Sequence, residues 1–160
     1  MRRALPILFL CTLFITGAAS AQNVRWVVGG NMGLSIGSGG GGSSAGFHFG
    51  PMTEVLFGKG MAAGTEFNIN TQAGTPIEWA AYFKYYFAVS GSKLKPYADI
   101  GPSLYFVTGG PYFGIRFGGG VGIPVAKNLF IGPDLQFGPV FTTGSTTFVI
   151  LIRGGLRYEL

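Results

Sequence analysis

What the chain has little of narrows its class first. It holds one cysteine, Cys11, and one histidine, His48. A lone thiol closes no disulfide framework, and one imidazole without thiol neighbours supplies no first shell for zinc, so a metal would have to rely on scattered carboxylates. Charge is scarce as well: six acidic and eleven basic residues among 160, a formal net charge of +5. The basic residues form no cluster, which removes the footprint of a nucleic-acid binder. The apolar run at the start, Ala4 to Ile15, is shorter than the ~20 residues a membrane-spanning helix needs. Against these shortages stand 29 glycines and 15 phenylalanines. Aromatic residues punctuate the glycine throughout, a pattern that disordered linkers avoid.

The first segment sets the compartment. Arg2 and Arg3 precede the apolar run, and small residues end it at Ala19-Ser20-Ala21. This order predicts a cleavable signal peptide over residues 1–21, with cleavage before Gln22. Cys11 falls inside it, behind Leu8-Phe9-Leu10, where a lipidated cysteine would follow a small residue. The mature chain, Gln22 to Leu160, is then one cysteine-free domain; without Arg2 and Arg3 it has nine basic and six acidic residues, a net +3.

Beyond that point apolar residues recur at every second position. In the run from Thr146 to Leu160, Phe148, Ile150, Ile152, Leu156, Tyr158 and Leu160 share one face, and Arg153, Arg157 and Glu159 lie on the other. Period-two alternation over this length means a β-strand. Eight such runs are predicted: Val24–Ile36, Phe47–Phe57, Met61–Asn70, Ile77–Val89, Leu94–Val107, Tyr112–Val125, Leu129–Phe141 and the last one. Turn signals separate them, among them Gly58-Lys59-Gly60, Ala126-Lys127-Asn128 and a Gly/Ser loop from Gly37 to Ala45. Pro51, Pro102, Pro124, Pro133 and Pro139 lack a ladder donor and are expected at bulges or strand ends.

One parity rule sorts the charges. The acidic residues Glu54, Glu66, Glu78, Asp99, Asp134 and Glu159 and the basic residues Arg25, Lys84, Arg116, Arg153 and Arg157 all fall on the non-aromatic face. Lys59, Lys93, Lys95 and Lys127 lie in or beside every second turn, and the opposite loops carry no charge. A soluble barrel of the lipocalin kind needs the reverse, an apolar lumen and a charged exterior. A slip of one residue would turn Lys84, Arg116 and Arg153 toward lipid at about 2–4 kcal/mol each, a sum comparable with the stability of a whole domain. Trp26, Trp79, Tyr85 and Tyr158 sit on the apolar face toward strand ends, where an aromatic girdle belongs.

These features predict an all-β, eight-stranded, antiparallel up-and-down transmembrane β-barrel over residues 22–160. The last strand resembles the C-terminal strand signal of bacterial outer-membrane barrels, with apolar Leu160, Tyr158 and Leu156 at the last, third-last and fifth-last positions and Leu where the family usually has Phe. With eight strands and short turns at one end, the mature chain resembles the small OmpA/OmpX-type family. That resemblance implies a monomer in the outer membrane of a Gram-negative bacterium, contact with outer-membrane lipid, and insertion by the barrel-assembly machinery through the C-terminal strand. It implies no cofactor and no nucleic acid.

Function is less legible. A lone histidine on a lumen face is more often a hydrogen-bonded filler than a catalyst, since catalysis needs an oriented base and nucleophile. No serine stands in a motif with His48, so a lipid-modifying enzyme is the weaker alternative. Gly118-Gly119-Gly120 precedes no helix and is no phosphate loop; lumen glycines instead leave room for Tyr82, Tyr86 and Tyr105. A small porin-like channel is the other alternative, but eight strands enclose little more than their own side chains. A structural or interaction role with a salt-bridged, closed lumen is the leading reading. If the turns at Ser90–Lys93 and Thr142–Ser145 are symmetric, Lys84 faces Asp99 and Asp134 faces Arg153, each as an ion pair across the ladder.

Overall fold

The computed structural model describes residues 24–39, 42–72, 76–107 and 110–160. The predicted signal peptide, with Cys11, lies outside the described residues. Eight strands follow in order: β1 (Arg25–Gly39), β2 (Gly42–Phe57), β3 (Met61–Asn70), β4 (Ile77–Tyr86), β5 (Lys95–Val107), β6 (Gly110–Ala126), β7 (Leu129–Thr142) and β8 (Ser145–Glu159). Each pairs antiparallel with its neighbours in sequence, and β1 pairs with β8 to close the barrel. Closure removes both sheet edges, so every strand is laddered on two sides.

The start of β1, the end of β8 and the turns after β2, β4 and β6 share one end of the barrel, called here the terminal end; the loops after β1, β3, β5 and β7 are at the opposite end. Turn chemistry at the terminal end is local. Gly58 and Gly60 take positive φ of 59° and 86° around Lys59, and Asn128 takes φ of 63° between β6 and β7. Asn is among the few side chains that tolerate the left-handed region, because its short amide bonds locally.

Burial follows the alternation strand by strand. In β8, Leu151, Arg153, Gly155, Arg157 and Glu159 point inward and are buried, while Phe148, Ile150, Ile152, Leu156 and Tyr158 are exposed. The inner wall is mostly polar. Its compact apolar cluster is small, Val27, Leu56 and Ala62 with Tyr86 packed against them near the terminal end. The large apolar side chains face out, from Trp26, Leu34 and Phe49 to Phe83, Leu135 and Ile152.

Two sequence expectations change. The Gly/Ser stretch from Gly37 to Ala45 is mostly strand: Gly37 pairs with Ser44, Ser38 with Ser43 and Gly39 with Gly42. The ladder needs only backbone, and a segment of glycine and serine shows no alternation from which to read it. Conversely, β4 ends at Tyr86 rather than Val89, and 87–94 is a longer connection held by Phe87 N–H donating to Pro96 O at 2.8 Å.

The prolines correct a third expectation. Pro51, Pro102, Pro133 and Pro139 lie inside strands, face outward and produce no bulge; only the Pro124 region shows a register shift, between Pro124 and Ala126. Each of the four follows a glycine. On one side the ladder skips the proline and resumes unchanged, as from Phe49↔Ile69 to Met52↔Glu66 and from Ala80↔Ser103 to Phe83↔Ile100. A proline removes an N–H donor, which interrupts the ladder at that point on one side. A Cβ on Gly50, Gly101, Gly132 or Gly138 would collide with the carbonyl oxygen of Phe67, Ala81, Val121 or Ile115 respectively. The same collision arises at Gly29, Gly33 and Gly118, which no proline follows, so these inward glycines admit a neighbouring carbonyl whether or not a proline is next to them.

Candidate functional site

The concentrated chemistry of the molecule is its interior. Three ionic layers stack from the terminal end inward. At the mouth, Glu159 of β8 accepts from Arg25 of β1 at 2.8 Å and from Lys95 of β5. Arg25 is 56 % exposed at its side chain, so it caps the lumen rather than filling it. Lys95, the first residue of β5, reaches inward and sets its ammonium 3.9 Å from the centre of the Phe130 ring.

The second layer centres on Glu54 of β2. Lys84 of β4 lies 2.6 Å from Glu54 Oε2, and Tyr82 and Tyr86 donate to the same carboxylate at 3.2 and 2.5 Å. The ammonium of Lys84 also sits 4.7, 5.6 and 4.5 Å from the ring centres of Tyr82, Tyr86 and Tyr97. A buried ammonium is held here by one carboxylate and by aromatic faces, a setting in which cation–π attraction is strong because water is excluded.

The third layer is a crossed network around Glu66 of β3. Arg116 of β6 and Arg153 of β8 both reach Glu66 Oε1 at 2.6 Å, and each is three strands away around the barrel, so the bonds span the lumen. Arg116 continues to Glu78 at 3.0 Å, and Arg153 Nε donates to Asp134 at 2.7 Å. Asn31 and Asn68 donate to Glu66 at 3.2 and 2.8 Å. Tyr97 donates to Asp134 at 2.5 Å and accepts from Arg157 at 2.6 Å, while Gln136 donates to Asp99 at 3.0 Å. Glu54, Glu66, Glu78, Lys84, Arg116, Asp134, Arg153 and Arg157 are all buried.

Register and partner choice separate at this point. Lys84 stands opposite Asp99, and Asp134 opposite Arg153, as hairpin symmetry predicts. Asp134 and Arg153 bond directly. Lys84 does not take Asp99; it turns past Tyr82 to Glu54, and Asp99 is served by the amide of Gln136. The tyrosines and amides that complete the network were legible only as inward residues, because their partners lie on non-adjacent strands. Glycines make room for them: a Cβ on Gly64 would stand 2.6 Å from the Tyr82 hydroxyl, and one on Gly120 2.6 Å from that of Tyr97.

His48 is fully buried on β2, opposite Gly33 and Asn70, and neither ring nitrogen has a hydrogen-bond partner among the described residues. Among the described residues no group of three His, Cys, Asp or Glu side chains is placed to hold a metal ion. Trp26, Trp79, Tyr85 and Tyr158 are exposed on the outer wall, Trp26, Tyr85 and Tyr158 toward the terminal end and Trp79 toward the opposite end.

No family model and no curated protein matches the sequence. Solved structures do. Neisserial surface protein A (NspA) superposes with a TM-score of 0.76 at 16% identity, over 87% of this chain and 100% of that one. The N-terminal β-barrel domain of Pseudomonas aeruginosa OprF gives 0.56 at 15% identity, over 87% and 100%. A de novo designed transmembrane β-barrel gives 0.51 at 14% identity, over 85% and 95%. At these identities the likeness is one of fold, and the natural neighbours are small outer-membrane eight-stranded barrels.

Proposed function

We propose that the chain is an integral outer-membrane β-barrel, exported by a signal peptide over residues 1–21 and inserted as a monomeric 22–160 domain, with a structural or interaction role and no catalysis. The observation that carries this reading is the polarity of the wall. Burying Glu54, Glu66, Glu78, Lys84, Arg116 and Arg153 while exposing Trp26, Leu34, Phe83, Leu135 and Ile152 is ruinous in water and appropriate in a bilayer. The resemblance to OmpA/OmpX-type barrels supports the same location, with the terminal end toward the periplasm and Trp26, Trp79, Tyr85 and Tyr158 as the girdle.

The interior supports a closed lumen. Arg116 and Arg153 meet on one carboxylate across the barrel, and an eight-stranded wall leaves space only for side chains. A porin-like pathway would have to displace both guanidinium groups from Glu66. The test is cell fractionation with gel migration before and after boiling, followed by single-channel recording on the purified barrel. Outer-membrane recovery, a heat-modifiable band and at most rare openings are expected. Recovery in the soluble periplasmic fraction, or steady large conductance, contradicts the proposal.

A further inference from the structure

The terminal mouth holds a feature that the wall and the lumen network leave unexplained. A cavity of about 720 Å³ opens there, and four cations line it: Arg25, Lys59, Lys93 and Lys95. Glu159 is the carboxylate in reach, and it is taken up by Arg25 and Lys95. Lys59, in the Gly58-Lys59-Gly60 turn, and Lys93, in the 87–94 connection, form no ion pair among the described residues. The opposite end offers no counterpart, since residues 37–47, 70–77, 107–112 and 142–147 contain no charge.

The same cavity has an apolar lip. Tyr85, Phe87, Val89 and Leu94 line it and are exposed; Tyr85 and Phe87 pack edge to face at 5.2 Å. Tyr85 belongs to the outward parity of β4, so this lip continues the apolar outer wall. A ligand suited to the whole feature has an anionic head for Lys59 and Lys93 and an apolar body for the lip and wall.

We propose that this basic cup is a docking site for one anionic phospholipid of the phosphatidylglycerol class, its phosphate over Lys59 and Lys93 and its acyl chains along the wall below Tyr85 and Phe87. The assignment rests on the membrane reading above. Charge complementarity selects the anionic head, and continuity with the outer wall selects a lipid over a soluble phosphate. Lys127 lies in another turn at the same end but does not line the cavity, which makes it the internal control.

The lip of the site lies on β4, so the reporter is placed there. Trp26 is on β1, three strands around the wall, and Trp79 is on the outward face of β4 below Tyr85, so both are replaced by Phe. In that background Tyr85→Trp puts a tryptophan at the lip, and Tyr158→Trp puts one on β8 at the same end, four strands away. The full mature chain is reconstituted in phosphatidylcholine vesicles. Quenching by phosphatidylglycerol brominated on its acyl chains is compared with quenching by brominated phosphatidylcholine. The tryptophan at position 85 should show a preference of roughly 25-fold for the anionic lipid, from two cations worth about fivefold each, and that at position 158 close to none. Lys59→Gln and Lys93→Gln should each reduce the preference at position 85 about fivefold, and Lys127→Gln less than twofold. Soluble glycerol phosphate in the aqueous phase should not compete. Equal preference at both positions, an equal loss with Lys127→Gln, or displacement by glycerol phosphate overturns the site. Absence of quenching by either brominated lipid overturns the membrane reading itself, a result distinguishable from quenching without preference.

Discussion

Leu151 and Ile152 are neighbours in β8, and Leu151 is 1% exposed while Ile152 is 51% exposed. The comparison between inner and outer walls repeats this step along every strand. Outside, apolar side chains stand alone or in cross-strand aromatic pairs such as Phe117 with Phe137, whose ring centres lie 4.3 Å apart. Inside, nearly every charge has a partner of opposite sign or a tyrosine. The difference teaches where specificity resides. Apolar outer contacts with lipid are interchangeable, so the unique arrangement of the barrel depends on the inner wall, where each group has a defined partner and a missing one is costly.

The sharpest way to break this comparison is to empty the hub. Glu66→Ala leaves Arg116 and Arg153 without their shared carboxylate, and the loss should be at or above the ~3–5 kcal/mol typical of a broken buried pair. Urea unfolding from lipid vesicles measures it; a loss below about 1 kcal/mol, the range of exposed pairs, would show that the layer is solvated. Next comes a pairwise test. Asp134→Ala should cost about 3–5 kcal/mol, and adding Arg153→Leu should recover part of that because no charge is then left alone at this pair. The recovery is partial, since Glu66 loses one of its two guanidinium partners in the double variant.

An insult to the outer wall ranks third. Ile152→Arg places a cation at the exposed middle of β8 and should cost about 2–4 kcal/mol in a bilayer. The same change in a water-soluble protein would be nearly neutral, so an unchanged unfolding midpoint speaks against lipid contact. Gly64→Ala follows at roughly 1–3 kcal/mol, because the added methyl meets the Thr53 carbonyl oxygen and the Tyr82 hydroxyl, each at 2.6 Å, and so strains the ladder and the bond from Tyr82 to Glu54. Smallest is Arg25→Gln at the open mouth, where an exposed pair contributes about 0–1 kcal/mol.

The two walls were unequally legible in the sequence. Parity alone assigns the buried charges to the face they occupy, and turn symmetry places Lys84 opposite Asp99 and Asp134 opposite Arg153. Partners across the lumen are another matter. Whether Arg116 reaches Glu66, or Lys84 reaches Glu54, depends on strand tilt and barrel closure, which set the depth of each residue along the axis and leave no trace in one strand's alternation. Lys95 was hidden for a related reason, since it stands at the first position of β5 beside the turn, and its partner Glu159 lies on β8. The hairpin between β1 and β2 was hidden because glycine and serine ladder through their backbone alone. Nor does alternation reveal that a Gly-Pro pair can sit inside a strand with the register unchanged on either side of it.

The central claim is that the two walls face lipid and a packed polar interior. Spin labels on single cysteines introduced along β8, in the mature chain, test it most directly. At positions 148, 150, 152 and 156 the label should be accessible to oxygen dissolved in the bilayer and shielded from a water-soluble nickel chelate. At positions 149 and 151 it should be shielded from both. Accessibility of the even-numbered positions to the nickel chelate would place the apolar wall in water and contradict the account.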